Sequence, residues 1–309
     1  MTEPMRIFLD TDFGPDCDDT AALAILLQLG REGRAMPIGI SHATGSPYGL
    51  AAIDTVCRLF DVRSPMGTLA DRGFLTEKAL RFAPAMAASF PHGYPPEAPQ
   101  PDAVEALDTA LKDVPDGSVT VIGIGPMGNM ARFVTEPEAA GLMARKVERI
   151  VLMAGTFVGD GVEWNVEMDV RAMQAVVRRW AGRLDLCPFE AFGDVLTGRS
   201  LVRDRESPVG LAYRLFTEGS MLRPSWDPGT VACAILGPRS PLRWSDPGTL
   251  TVDERGRTRF CEASHGRHRI LLRRGGPEPV AEWLEGLLAK AEDTMQRAMK
   301  EGIGTAGIE

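Results

Sequence analysis

Strand-length apolar runs alternate with longer helical patterns along most of this chain, and that rhythm restricts the fold more than any other feature. MRIFL is the first strand and TAALAILLQLG the helix after it, ending at Gly30 as a C′ glycine. PIGISH (37–42) then gives a strand and YGLAAIDTVCRLF a helix; SVTVIGIG (118–125) gives a strand, followed by a helix through MARFV. RIVLMAG (149–155) is a strand, a helix runs from about Val170 to Trp180, and RLDLCPF is another strand. Such alternation predicts an α/β fold: an open, mostly parallel central sheet with helices on both faces. Residues 238–268 are rich in Gly, Arg and Pro and read as a hairpin excursion. PEPVAEWLEGLLAKAEDTMQRAM reads as an amphipathic helix whose stripe is Val280, Trp283, Leu284, Leu287 and Leu288. No repeat, low-complexity stretch or linker interrupts residues 1–309, so one domain is expected.

Between the first strand and the first helix lie five aspartates in ten positions: Asp10, Asp12, Asp16, Asp18 and Asp19. In open α/β sheets ligands bind outside the carboxyl ends of the strands, which is where this cluster falls. Carboxylates held so close repel one another, and stay ionised together only if a cation neutralises them. Helix capping accounts for one or two of the five. An all-oxygen set without His or Cys suits a hard divalent ion, Ca²⁺ or Mg²⁺.

Composition narrows the function classes. The net charge is −8, which argues against a general nucleic-acid binder. No apolar run reaches the roughly 18 residues of a membrane span, and MTEPMRIFLD lacks a charged-then-apolar leader. The five cysteines are scattered, odd in number and without a CxxC pair, as expected of free thiols in a reducing cytoplasm. Cys17 lies amid carboxylates, which raise a thiol's pKa, so a nucleophilic role is not expected. SHGRH pairs His265 with His268 at ligand spacing, but its Gly and Arg favour a solvated turn over a metal site.

DTD followed by a Gly and then by an Asp-Asp pair at a helix start resembles the opening motif of the nucleoside hydrolases, the inosine-uridine preferring N-ribohydrolase family. GIGPMGNMARF (123–133) is similar to the family's Gly-Pro-Leu-Thr-Asn segment. LMAGTFVGDGVEWNVEMD (152–169) resembles its Met-Gly-Gly strand end with a following Glu-x-Asn and Asp. SWDPGTVACAIL (225–236) resembles its late Asp before a helix, and FPHGY (90–94) its His-Gly turn. These segments come in family order. The resemblance implies a nucleoside hydrolase-like fold with a Rossmann-like core. It also implies Ca²⁺-dependent hydrolysis of the N-glycosidic bond of a ribonucleoside or related ribosyl compound, with Ca²⁺ preferred to Mg²⁺. Asp12 is then both a metal ligand and the general base acting on a water bound to the ion. Asp19, Asp227 and the backbone carbonyl of Gly128 complete the ion's protein ligands. Asp18, Glu163 and Asn165 hold the sugar hydroxyls, with Asp10 and Asn129 supporting the loops. The implied partner is a small nucleoside-like molecule, and the implied assembly a homo-dimer or tetramer.

Three departures stand out. DTDFGPDCDD carries two residues more than the family's DTDPGxDD, including Asp16, which is either a supporting partner or simply solvated. Trp226 stands where members often have a leaving-group His; it either stacks on a base or fills core, and His92 and His42 are each either a substitute acid or, more commonly for a lone His in such a turn, structural. HATGSPYG replaces a Gly-Asn that touches the ribose, leaving Ser46 or Tyr48 for that place. Two rival readings stay open. A haloacid-dehalogenase-type phosphatase also places DxD after its first strand, but a lysine to balance a phosphoryl group is hard to find here. A non-catalytic Ca²⁺-stabilised small-molecule-binding protein of the same fold is the alternative from another class.

Overall fold

The computed structural model describes residues 3–202 and 206–302. Its strands are β1 Met5–Thr11, β2 Ala35–His42, β3 Met66–Thr68, β4 Val119–Gly123, β5 Val147–Met153, β6 Arg183–Cys187, β7 Leu196–Thr197, β8 Arg223–Pro224, β9 Leu242–Trp244, β10 Gly248–Val252, β11 Thr258–Glu262 and β12 His268–Arg273. The main sheet has the order β11-β10-β12-β6-β5-β4-β1-β2-β3, with β9 paired to β12, while β7 and β8 pair separately. From β3 to β12 along this order every pairing is parallel; β9, β10 and β11 add antiparallel edges. The chain winds outward from β1 to β3 on one side and from β4 to β6 on the other. The order therefore reverses between β1 and β4, and a crevice opens above their carboxyl ends.

Alternation along β1 builds both layers. Ile7 and Leu9 enter one core with the helices Asp18–Arg31, Gly49–Leu59, Pro208–Phe216, Trp226–Leu236 and Glu278–Lys300. Phe8 enters the other, with Ala103–Leu111, Gly128–Thr135, Pro137–Lys146 and Val170–Arg179, and meets Phe133 edge-on at 5.7 Å. The helix Asp18–Arg31 is apolar nearly all round, as TAALAILLQ requires, because it is covered by the sheet on one side and by other helices elsewhere.

The excursion at 238–268 is the hairpin β10–β11, and SHGRH is the turn that leads into β12, where the buried His268 accepts a hydrogen bond from Leu250 N at Nδ1. The terminal stripe is also present: Val280, Leu284, Leu287 and Leu288 are buried, with Trp283 packed at their margin. One boundary differs. Gly30 lies inside the first helix, against Pro37, and Gly33 (φ +69°) makes the left-handed turn. Arg34 N and Gly33 N then donate to the carbonyls of Leu29 and Gly30, closing the helix end three residues later than expected. Among the described residues no helix is long and apolar enough to cross a membrane.

Candidate active site

A cavity of about 600 Å³ sits at the switch point. Its floor is Asp12, Asp18, Asp19 and Asp227, with Ile124, Met153, Glu163 and Asn165 beside them. The four aspartates arrive on three pieces of backbone: Asp12 just past β1, Asp18 and Asp19 in the first turn of the following helix, and Asp227 in the first turn of Trp226–Leu236. All four are at most 4 % exposed. Asp18, Asp19 and Asp227 each offer an oxygen within 4.8 Å of the others. The three ligand carboxylates expected from sequence were Asp12, Asp19 and Asp227; the tightest trio instead has Asp18, with Asp12 alongside, within hydrogen-bonding reach of Asp19.

The electrostatics of this floor ask for a cation. Burial holds all four carboxyls well above the usual carboxylate range, and their mutual repulsion, with that of Asp16, pushes the same way. Asp19 accepts from Thr11 Oγ1 through Oδ1, while its buried Oδ2 has no partner. Asp18 Oδ2 accepts from Asp227 N at 3.1 Å, which pins the two chain ends together. An orphaned carboxylate oxygen inside an all-oxygen cluster fits a hard divalent ion.

A hydrogen-bonded network lies beneath the floor. Asp10 does not line the cavity; its Oδ1 accepts from Ser41 Oγ (2.5 Å) and Asn129 Nδ2 (2.9 Å), and Asn129 Nδ2 also donates to His42 O. These bonds tie β1, β2 and the helix Gly128–Thr135 into one platform. Burial, only partly offset by those two donors, lifts Asp10 to about 7. Glu163 caps the short helix Trp164–Met168, accepting from the backbone N–H groups of Gly155, Asn165 and Val166; burial still lifts it to about 7. Asn165 donates to the carbonyls of Ile124 and Met153, fixing its amide at the ends of β4 and β5. Gly125 lets the β4 end approach Asp12, since a Cβ there would lie 2.8 Å from Asp12 Cβ.

Other expected residues lie elsewhere. Gly128 opens its helix half-buried with Leu69 nearby and is not among the cavity residues. His92 lies in the loop after Ala83–Ser89, next to Gly93, whose N–H is tied to Asp54; it is not among the cavity residues either. His42 is held by Thr68 and Thr44, and burial lowers it to about 4, so it is neutral and already engaged. Ser46 and Tyr48 also stay outside the cavity. Asp16 is not simply solvated: it accepts from Nε and Nη2 of Arg223, 207 residues away in sequence. Trp226 is a wall of the cavity rather than core, its ring 5.1 Å from Phe189. The buried Cys17 thiol is pushed up by burial and by Asp16 and Asp18, as its neighbours implied.

Sequence reading missed the rest of the wall: Glu77, Lys78, Arg81, Trp164, Phe189, Phe216 and Arg223. One signal pointed there. A fifth carboxylate, Asp16, added to a crowded loop calls for a cation from elsewhere in the chain.

The family model for the inosine-uridine preferring nucleoside hydrolases matches residues 7–274. The chain belongs to that nucleoside hydrolase family. It is accordingly a hydrolase acting on N-glycosyl bonds. A comparison with curated proteins gives no significant sequence match. Solved nucleoside hydrolase-like structures share the fold. The effector protein XOO4466 is 18 % identical at a TM-score of 0.70, over 96 % of this chain and 95 % of that one. A purine-preferring ribonucleoside hydrolase from Gardnerella vaginalis is 17 % identical at 0.69, over 95 % and 100 %. The type III effector XopQ, solved with adenosine diphosphate ribose, is 17 % identical at 0.68, over 96 % and 95 %. Within this nucleoside hydrolase the Gly125 approach yields a direct prediction. Gly125→Ala should push Asp12 off its position and lower turnover by about tenfold or more, with weaker divalent-cation binding by calorimetry.

Proposed function

We propose that this chain hydrolyses the N-glycosidic bond of a ribonucleoside or a related ribosyl compound, releasing the base and ribose, with Asp12 as general base. The observation that carries the reading is the convergence of buried carboxylates from both ends of the chain, Asp12, Asp18 and Asp19 with Asp227, at the floor of a nucleoside-sized cavity. Asp19 and Asp227, flanked by Asp12 and Asp18, would hold a divalent cation, Ca²⁺ by its preference for many oxygen donors. When bound, the ion supplies positive charge that acidifies and orients the attacking water.

The chain's own groups account for the remaining chemistry. Asp12 takes the water's proton as the oxygen closes on the anomeric carbon. Glu163, Asn165 and Asp18 face the cavity as acceptors and donors for sugar hydroxyls, which fixes the ring relative to Asp12. The ribosyl group passes through an oxocarbenium-like state whose positive charge the surrounding carboxylates stabilise. Trp226 and Phe189 offer a flat apolar surface for a base.

The test is release of free base, with reducing sugar as a second readout for the nucleosides, over purine and pyrimidine nucleosides and adenosine diphosphate ribose, with Ca²⁺ present and after chelation. Release from at least one compound, abolished by chelation and restored by Ca²⁺, is expected. A folded, Ca²⁺-supplied protein that releases base from none of them is instead the non-catalytic binding protein.

A further inference from the structure

The cavity's outer wall is a ladder of rings and guanidinium groups. Phe189 lies 5.1 Å from Trp226 at an interplanar angle of 32°. The guanidinium of Arg223 is 5.2 Å from the Trp226 ring centroid and 4.9 Å from that of Phe216, and Arg81 stands 4.4 Å from Phe216. All five residues line the cavity. Asp16 fixes the middle rung: its carboxylate accepts from Nε and Nη2 of Arg223, and Nη1 has no protein partner among the described residues. The side chain is about 29 % exposed and lines the cavity, so a molecule bound there can reach the guanidinium. No histidine or tyrosine is among the cavity residues, which leaves no imidazole or phenol on this wall to protonate a departing base.

Resting on the hydrolase reading above, we infer that Arg223 is a catalytic residue that stabilises the leaving base, and that Asp16 is the positioning residue that aims it. As the water oxygen bonds to the anomeric carbon, the carbon–nitrogen bond breaks and its electron pair goes to the base. Asp12 keeps the water's proton and later returns it to solvent. The base departs as an anion, hydrogen-bonded by a guanidinium N–H that gives up no proton, and is protonated by solvent. A guanidinium suits this task because it stays charged at every working pH and presents a rigid fork of donors. Its charge sits between the rings of Phe216 and Trp226 and is partly shielded from water, which strengthens its action on developing charge. Lys78 and Arg81 are exposed nearby, beside Glu77, with Lys78 over the Trp164 ring and Arg81 over that of Phe216, and among the described residues no carboxylate is paired with either.

The experiment compares two leaving groups. The first is the nucleoside that the wild type cleaves best; the second is p-nitrophenyl β-D-ribofuranoside, whose phenolate leaves without help. Arg223→Ala should lower kcat on the nucleoside by about 100-fold, as loss of one preorganised donor does, but change the nitrophenyl riboside by less than about threefold. Arg223→Lys should recover part of the nucleoside rate, and Asp16→Asn should show the same selectivity with a smaller loss, while thermal melts confirm that each variant is folded. Equal losses on both substrates would mean a merely structural role and overturn the inference, as would an undiminished nucleoside rate. A wild type that cleaves neither substrate removes the hydrolase reading and this inference together, whereas equal losses remove the inference alone.

Discussion

Asp12→Asn is expected to lower kcat by about 10³- to 10⁴-fold while leaving the protein folded. The side chain stands at the carboxyl end of β1 with 3 % exposure, close to Asp19 and facing the cavity. Asparagine matches its shape, so the floor keeps its packing. What goes is the carboxylate proposed to accept the proton of the attacking water. The same change removes one like charge from a buried cluster in which burial and Asp16 already disfavour ionisation. The metal-free variant should therefore melt at or above the wild-type temperature at pH 8, even though turnover is gone. This pairing, lost activity with retained or increased stability, separates a catalytic carboxylate from a structural one. Reducing-sugar release under saturating nucleoside, together with calorimetric melts, reads both halves. A variant that keeps more than about a tenth of the wild-type rate would transfer the general-base role elsewhere.

The sequence made Asp12 legible, and the reasons differ from element to element. β1, β2, β4, β5 and β6 are strand-length runs dominated by apolar residues and bounded by polar or glycine-containing turns, so their existence follows from pattern. Their order does not. Nothing local says that β4 lies against β1, and it is that pairing which creates the crevice. β3 has three residues, too few for a period to show, and β12 joins β6 across the intervening helices and hairpin. Asp12, Asp18 and Asp19 announced themselves by crowding. Asp227, more than 200 residues away, was reached only through resemblance, because no spacing rule links the two ends of a chain. Arg223 escaped for the same reason: its partner Asp16 is as distant, and an arginine before a proline carries no signature. His92 is a motif match that is not among the cavity residues; its neighbour Gly93 is tied to Asp54. Gly30 was misread because a glycine inside a helix, where Pro37 packs close, looks like one that ends it.

Stripping divalent cations is expected to make folding stability fall as pH rises, and adding Ca²⁺ to reduce that fall. The sign comes from the floor itself. Burial first, and then mutual repulsion, hold Asp12, Asp18, Asp19 and Asp227 above the usual carboxylate range; Asp10 and Glu163, each at about 7, move in the same direction. In the unfolded chain these groups titrate near pH 4. Between that pH and the folded values the metal-free native state binds more protons than the unfolded one, so each step upward in pH favours unfolding. The contribution is complete below about pH 4 and is lost as pH climbs through the raised folded values, near neutrality for Asp10 and Glu163. A cation that binds only the folded floor takes the place of those protons. At 100 times its dissociation constant it adds about 2.7 kcal/mol, or about 5 °C in Tm for a chain of this size. Because protons and ion compete for the same oxygens, this gain should be small near pH 5 and largest near pH 8. Scanning calorimetry in EGTA and in Ca²⁺, at both pH values, measures it directly. Identical melts with and without Ca²⁺ at pH 8 would mean that the carboxylates hold protons rather than metal, and a larger shift with Mg²⁺ would reassign the ion. Six-coordinate Mg²⁺ demands a tighter octahedron than three converging aspartates and an adjacent fourth offer, so the larger shift is expected with Ca²⁺.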